Sequence, residues 1–323
     1  MNKKISIETF MEKIKVSKNI AVTGFRWTGT PQLLLRKIRQ VFDKTGHPNN
    51  VTIIFTSSAT DPGIDYLAHP DLLSCSIGSY YGSIPEVRKL AQKNMIKAYS
   101  LPQGQISLLF REIARGSPGL ISKVGLNTYV DPKIRGGKIN KLTKDDIVSR
   151  ININNKDYLF YRSISIDTVL IRATSADKFG NISMQDEPVK TEFLSMAQAA
   201  RTLGGKIFVQ VLKETEEPLL PSKIDLPSHL VDNYILANNP EKDHRHTNKY
   251  VKNSDFLYQQ EKSNKLSESN DPNYKLVIAK KALNYLDPNL NVILGQGIPE
   301  LVGVHIRKNK KNYSNITTFM ESG

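Results

Sequence analysis

Residues 20–46 have the sequence IAVTGFRWTGTPQLLLRKIRQVFDKTG, which contains a complete strand, loop and helix pattern. The β-branched run Ile20–Thr23 predicts a strand, and the two glycines that follow it indicate a loop. A helix is predicted over Pro31–Lys44, with Thr30 as its N-terminal cap and Gly46 at its end. Its apolar residues recur at helical spacing and predict one buried face: Leu34, Leu35, Ile38, Val41 and Phe42.

The same alternation of strand and helix continues for about two hundred residues. Further strands are predicted at Val51–Thr56, Leu73–Ile77, Thr168–Ala173, Lys206–Leu212 and Tyr234–Ala237. Helices are predicted at Pro85–Ala98 and at Thr191–Thr202, the second of which ends at Gly204 and Gly205. This order indicates an α/β fold with a mostly parallel, doubly wound sheet and helices on both of its faces, in three layers.

A polar segment then separates two regular regions. Residues 239–273 are mixed in charge and poor in apolar periodicity, and we interpret them as a linker between a first domain, 1–238, and a second, 274–323. In the second region a helix, a strand, the glycine turn Gly295–Pro299, a helix and a last strand are expected. These residues are too few to close a doubly wound sheet, so we expect either a truncated chain or completion by another polypeptide.

Composition narrows the class of protein. The chain has 39% hydrophobic and 24% charged residues, which is typical of a globular protein, and its single cysteine excludes an internal disulfide. The N-terminal residues lack the apolar core of a signal peptide. No stretch approaches the roughly 18 consecutive apolar residues of a membrane span. A cytoplasmic protein without a membrane partner is therefore expected.

The net charge of +14 indicates an anionic partner. A strong positive balance suits nucleic acid, but it equally suits a phosphorylated small molecule. The positive charge is spread along the chain, with one local run at 133–144, and no nucleic-acid recognition motif accompanies it. The sequence therefore favours a polyanionic small molecule over nucleic acid.

Six segments, taken in order, resemble the type I CoA-transferases, in particular the propionate, acetate and acetoacetate CoA-transferase branch. The loop Gly24–Pro31 is similar to the G-F-x-x-x-G-x-P loop of that family, although Thr23 stands where the family has another glycine. The other five segments are Leu101–Gly104, Pro118–Lys138, the turn Ala176–Asn181, the G-x-G-x-P turn Gly295–Pro299 and the E-[NS]-G element Glu321–Gly323. Together they extend over nearly the whole chain.

The resemblance implies a site and a reaction. Glu321 would be the nucleophile and Gln103 would stabilise the oxyanion, while no metal site and no resident cofactor are implied. Coenzyme A would be a cosubstrate, and the partners would be an acyl-CoA, a short-chain carboxylate, and either further copies of the chain or a chain that completes the second domain. The residues implied in CoA binding are Gly24, Phe25, Gly29, Pro31, Gly295 and Gly297.

The residues by themselves leave alternatives open. Gly24–Pro31 is compatible with an ordinary strand-to-helix turn, and Gln103 with a turn residue whose amide is satisfied. Asp243–His246 contains two histidines, but it lies in the polar segment, and a solvated surface run is favoured over a metal site. At the level of the whole chain, a catalytically inactive remnant or subunit and a ligand-sensing protein on the same fold are the rival hypotheses.

Overall fold

The structure is a computed structural model that describes residues 3–60, 62–248, 250–254, 257, 272–287, 289–309 and 311–320. The chain divides into two compact units, Met1–Tyr258 and Gln259–Gly323. The domain boundaries inferred from the sequence, at residues 238 and 274, stay predictions.

The first unit is built on one large sheet, whose strands are parallel except for one. Its strands are β1 (Asn19–Val22), β2 (Val51–Ile54), β3 (Leu73–Gly78), β4 (Lys97–Ser100), β8 (Thr168–Asp177), β9 (Ile182–Ser183), β10 (Lys206–Thr215) and β11 (Asn233–Leu236). The strand order is β11-β10-β8-β1-β2-β3-β4, and β9 pairs antiparallel with β8. The predicted doubly wound α/β sheet is thus confirmed.

Helices cover both faces of this sheet. They are α1 (Ile7–Ile14), α2 (Gln32–Thr45), α3 (Pro85–Gln92), α4 (Gln103–Ala114), α5 (Phe193–Thr202) and α6 (Pro240–Asp243), with short 3-10 helices at Ile64–Leu67, Pro221–Lys223 and Ser228–Leu230. Successive strand residues enter two separate cores: Ile20 packs with α1, α2 and α3, whereas Ala21 packs with α4 and α5. Because side chains alternate along a strand, burial on both faces gives the three layers.

A smaller antiparallel sheet lies within the first unit. It is formed by β5 (Gly119–Ser122), β6 (Val148–Ile153) and β7 (Lys156–Arg162), in the order β5-β7-β6. The two-residue turn Asn154–Asn155 joins β6 to β7, with φ angles of 50° and 62°. Asparagine tolerates this left-handed conformation, which a tight hairpin turn requires. The predicted pattern contained none of these three strands.

Two other predictions about local structure need correction. The helix predicted over Pro85–Ala98 ends at Gln92, and the positive φ of 55° at Asn94 turns the chain into β4. Thr30 does not cap α2, because its hydroxyl donates instead to the Arg26 carbonyl at 2.7 Å. The free amide of Leu33 donates to Gln210 Oε1 of β10 at 3.0 Å, so the helix is capped from another strand.

The second unit contains α7 (Asn273–Ala282), a 3-10 helix (Leu283–Tyr285), β12 (Asn291–Leu294), α8 (Ile298–Lys308) and β13 (Thr317–Met320). Strands β12 and β13 are parallel, and α7 and α8 pack with them through a small apolar core that includes Ala279, Leu294 and Val302. This agrees with the predicted order of elements. Gly297, with a φ of 86°, makes the turn that leads into α8.

Candidate active site

The strand order makes β1 the switch point of the sheet. Strands β2, β3 and β4 follow β1 on one side, whereas β8, β10 and β11 lie on its other side. In open parallel sheets ligands bind beyond the carboxyl ends of the strands, where the order reverses in this way. The loop Gly24–Pro31 leaves β1 at that point, so the fold puts this glycine loop at the expected position of a ligand.

Glycine is required at the start of this loop. Gly24 has a φ of 135°, and a Cβ atom added there would lie 2.3 Å from Thr30 Oγ1. Inside the loop, the Phe25 amide donates to the Thr28 carbonyl at 2.8 Å, and the Thr23 hydroxyl donates to the Gly29 carbonyl at 3.0 Å. The loop therefore has a defined shape that is closed upon itself.

The segment after β2 connects this loop to Gln103. The Arg26 amide donates to the Ser58 carbonyl at 2.8 Å, and the Thr60 amide donates to the Arg26 carbonyl at 2.9 Å. Next to them, Gln103 Nε2 donates to Ser57 Oγ at 2.7 Å. The structure thus brings two of the predicted site elements, the glycine loop and Gln103, to one edge of the sheet.

Gln103 has the geometry of an available hydrogen-bond donor. It is the first residue of α4 and its side chain is exposed. A carboxamide nitrogen carries two hydrogens, and the bond to Ser57 uses one of them. The second hydrogen can be donated to a ligand while Ser57 keeps the amide oriented.

A half-buried carboxyl group, that of Glu192, contacts Thr56, the residue before Ser57. The Thr56 hydroxyl donates to Glu192 Oε1, and burial raises the pKa of Glu192 above its ordinary value of 4.5. Glu192 also lines a cavity of about 520 Å³, together with Arg111 of α4 and Ser195 of α5. Thr56, Ser57 and Glu192 are not among the predicted site residues, although a Thr-Ser-Ser run at the end of a buried strand is a usable signal in an α/β fold.

A fully buried ionic cluster lies below the glycine loop. Arg172 of β8 donates through Nε to Glu187, and its Nη2 lies 2.9 Å from Glu187 Oε2. Its Nη1 donates to the backbone carbonyls of Trp27 at 3.0 Å and Arg245 at 2.8 Å. Burial disfavours ionisation of Glu187, but the Arg172 and His244 side chains outweigh it and lower the pKa of Glu187 to about 2.

His244 completes this cluster as a neutral imidazole. Its Nε2 lies 2.9 Å from Glu187 Oε1, and its Nδ1 lies 3.4 Å from Gln210 Nε2. An imidazole protonated only on Nε2 donates to the carboxylate and accepts from the amide, so it satisfies both partners. Burial and the nearby charge of Arg172 lower the pKa of His244 below its ordinary value of 6.5, and they outweigh the opposing effect of the Glu187 carboxylate.

The prediction of a solvated surface run at Asp243–His246 is therefore wrong for three of its four residues. Asp243, His244 and His246 are all buried, and Arg36 of α2 holds the Asp243 carboxylate at 2.6 Å. The polar composition of the segment concealed this burial, because its charges are matched by partners far away in the sequence. Among the residues that the structure describes, no group of three His, Cys, Asp or Glu side chains is arranged to hold a metal ion.

Two further segments of the family resemblance, Pro118–Lys138 and Ala176–Asn181, lie elsewhere in the first unit. The run Pro118–Lys138 contains β5 and continues to Gly137, whose carbonyl accepts from the amide of Ser100, the last residue of β4, at 2.8 Å. The turn Ala176–Asn181 joins β8 to β9, and the Asp177 carboxylate accepts from the amides of Phe179 and Asn181. This agrees with the turn predicted for these residues.

The remaining predicted site residues belong to the second unit. Gly295 and Gly297 lie in the turn between β12 and α8, where the helix presents free amide groups. Glu321 lies outside the described residues, so its role as nucleophile stays a prediction. In the described parts of the chain, none of the helices combines the length and the apolar character that a membrane crossing needs.

The fold and the glycine loop agree with a comparison of the sequence with known families. The chain belongs to the coenzyme A transferase family, whose model matches residues 4–236. Similar curated proteins include a caffeate CoA-transferase of Acetobacterium woodii, 37% identical over 241 residues, which are 73% of this chain and 46% of that protein. The acetate CoA-transferase YdiF of Escherichia coli K12 is 31% identical over 283 residues, which are 85% of this chain and 52% of that protein.

A solved structure is similar over the whole chain. The apoenzyme of the acyl-CoA transferase YdiF from Escherichia coli O157:H7 superposes with a TM-score of 0.88 at 27% identity. The match covers 100% of this chain and 62% of that one. The chain spans about half the length of the curated relatives cited above.

Because of the buried ionic cluster, we expect the free energy of unfolding of the first unit to fall at acidic pH. The pKa of Glu187 is about 2 in the folded chain, against an ordinary value of 4.5, so its contribution to stability is lost as the pH falls from 4.5 towards 2. His244 has a lowered pKa, so below pH 6.5 the unfolded chain takes up a proton that the folded chain does not. For each proton that only the unfolded chain binds, the free energy of unfolding falls by about 1.4 kcal/mol per unit decrease in pH. The raised pKa of Glu192 opposes this trend and offsets part of it.

Urea unfolding followed by the fluorescence of Trp27, the single tryptophan, measures this effect. The urea concentration at the midpoint of unfolding should be lower at pH 5 than at pH 7. The difference between the two should be smaller in the His244→Gln variant. His229 is not part of the buried cluster, so His229→Gln should leave that difference unchanged. A midpoint independent of pH in the wild type would contradict the neutral, buried state of His244.

Proposed function

We propose that the protein is an acyl-CoA:carboxylate CoA-transferase, which moves coenzyme A from an acyl-CoA to a free short-chain carboxylic acid. The observation that carries the proposal is the link from the glycine loop through Ser57 and Ser58 to the Gln103 carboxamide, at the switch point of the sheet. Family membership supports the same conclusion. The 520 Å³ cavity beside Glu192 adjoins α4, which begins at Gln103.

Glu321 is the proposed nucleophile. Its carboxylate oxygen attacks the thioester carbonyl, the carbon–sulfur bond breaks, and a mixed anhydride and CoA thiolate result. The thiolate then attacks the glutamyl carbonyl, which forms a glutamyl-CoA thioester and releases the first acid as its carboxylate. An incoming carboxylate reverses both steps and leaves with CoA, so Glu321 is regenerated. The energy of the thioester is retained throughout.

Gln103 is the proposed oxyanion donor. Each tetrahedral intermediate places negative charge on a former carbonyl oxygen, and a donor that is already oriented stabilises this charge. Ser57 holds the carboxamide and leaves one N–H hydrogen available. This second hydrogen is the one proposed to be donated to the developing oxyanion.

Coenzyme A is the proposed cosubstrate, without a resident metal or redox cofactor. The first glycine loop, and in the second unit the turn at Gly295 and Gly297, are the segments proposed to bind it, because a residue without a side chain lets a ligand approach the backbone closely. The net charge of +14 suits the phosphates of CoA. Binding of these remote groups supplies the energy that positions the thioester.

The transfer assay tests the proposal. The chain is incubated with acetyl-CoA and with acetate, propionate, butyrate, acetoacetate or caffeate as acceptor, alone and together with a chain that supplies the remaining length of the relatives. Formation of the new acyl-CoA with ping-pong kinetics, meaning parallel double-reciprocal lines, is the expected result. No transfer to any acceptor under either condition would contradict it and would favour an inactive remnant or a ligand-sensing protein.

A further inference from the structure

Arg172 occupies an unusual place for a charged residue. It lies in the middle of β8, which is the neighbour of β1 in the sheet and is buried along its whole length. Its solvent exposure is 0%. Burying a guanidinium is costly unless its hydrogens find partners, so the arrangement of those partners indicates what the residue does.

The guanidinium divides its donors between an anion and two backbone segments. Nε and Nη2 face Glu187, which neutralises the charge. Nη1 points the other way and donates to the carbonyls of Trp27 and Arg245. A planar, forked guanidinium can satisfy both directions at once, whereas a lysine ammonium cannot.

The contact with Trp27 reaches the tip of the glycine loop. On one side of Trp27, Arg26 is held by the segment after β2, and on the other, Thr28 pairs with Phe25. The hydrogen bond described at the Trp27 carbonyl comes from Arg172, and it is charge-assisted. The position of the loop tip thus depends on a residue of the neighbouring strand.

We propose that Arg172 is a positioning residue, which holds Trp27 and thereby sets the shape in which the loop Gly24–Pro31 receives its ligand. The identity of that ligand as coenzyme A rests on the proposed function, whereas the positioning itself does not. Glu187 has an indirect part, because it fixes the orientation of the guanidinium. His244 in turn donates to Glu187 and so supports the same arrangement from the α6 side.

The test uses Trp27 as a spectroscopic reporter in the Arg172→Lys variant. Lysine keeps the charge beside Glu187 but cannot also reach both carbonyls in the guanidinium geometry. We expect a red-shifted Trp27 emission, more efficient acrylamide quenching, and a Kd for coenzyme A that is raised about tenfold or more. Cooperative urea unfolding should persist. Arg150→Lys is the matched control, because Arg150 forms its ion pair with Asp131 near the small sheet, and it should change none of these quantities.

A second variant keeps the test decisive if Arg172→Lys does not fold. Glu187→Gln preserves shape and a hydrogen-bond acceptor but weakens the hold on the guanidinium, so it should shift quenching and Kd in the same direction. Folded variants with wild-type emission, quenching and CoA affinity would overturn the proposal. If the wild type fails to bind CoA while the variants still alter Trp27 quenching, then the proposed function fails and the positioning role stands.

Discussion

Turnover in the Glu321→Ala variant is expected to fall by at least about 10⁴-fold, because the alanine side chain cannot form the glutamyl anhydride or the glutamyl-CoA thioester. Steady-state transfer from acetyl-CoA to propionate measures this loss in whichever form of the protein shows activity. Glu12 is exposed on α1, and Glu12→Ala is the control that should retain full turnover.

The Glu321→Asp variant adds a second comparison. It keeps a carboxylate but draws it back by one methylene, so we expect a large loss of rate with a covalent adduct that still forms slowly. Wild-type turnover in Glu321→Ala would show that another group accepts the acyl chain. The assignment of the nucleophile would then be wrong, even if the protein is a transferase.

The Gln103→Ala variant is expected to lose about 10²–10³-fold in kcat, which is the typical effect of removing one oxyanion donor. The fold should be preserved, since Gln103 is exposed and its side chain bonds only Ser57 in the described contacts. A change in the free energy of unfolding within about 0.5 kcal/mol is therefore expected. Gln40→Ala, at an exposed position on α2, should leave both quantities unchanged.

The distribution of the effect between kcat and KM identifies what Gln103 does. A donor that acts on the oxyanion lowers kcat and kcat/KM together, whereas a group that binds substrate and transition state equally raises KM alone. A Gln103→Ala variant with normal kcat and a raised KM would assign this residue to binding. The assignment of Gln103 as the oxyanion donor would then be wrong.

Much of the fold could be predicted because local signals agree with tertiary structure. The strand, loop and helix of residues 20–46 are present almost as predicted, and Gly46 ends α2 with a left-handed φ of 70°. Periodicity is a strong signal where one face of a helix or both faces of a strand are buried. The parallel sheet follows from the order of such elements.

The missed elements had weak or overlooked signals. Strand β4 is four residues long and follows a helical pattern without a proline or glycine, so only the left-handed Asn94 marks the change. The β6–β7 hairpin did carry a signal, since Asn154 and Asn155 are two turn residues between β-rich runs. Its strands belong to a small sheet that alternation of strands and helices does not predict.

In the candidate site, too, some residues could be predicted from the sequence and others could not. The glycine loop and Gln103 could be found because the resemblance to a family marks them, and the fold brings them together. Arg172, Glu187 and His244 are far apart in sequence, and a charged residue within an apolar strand, or a histidine in a polar segment, gives no indication of its partner. Their association exists only after the chain has folded.

In the proposed mechanism the Glu321 carboxyl forms a thioester with the sulfur of coenzyme A. Intact-mass spectrometry after incubation with acetyl-CoA, followed by peptide mapping, measures this directly. We expect an added mass of one coenzyme A less one water, located on the peptide that contains Glu321 and removed by added acetate. An adduct on a different residue, or none in a preparation that catalyses transfer, would contradict it.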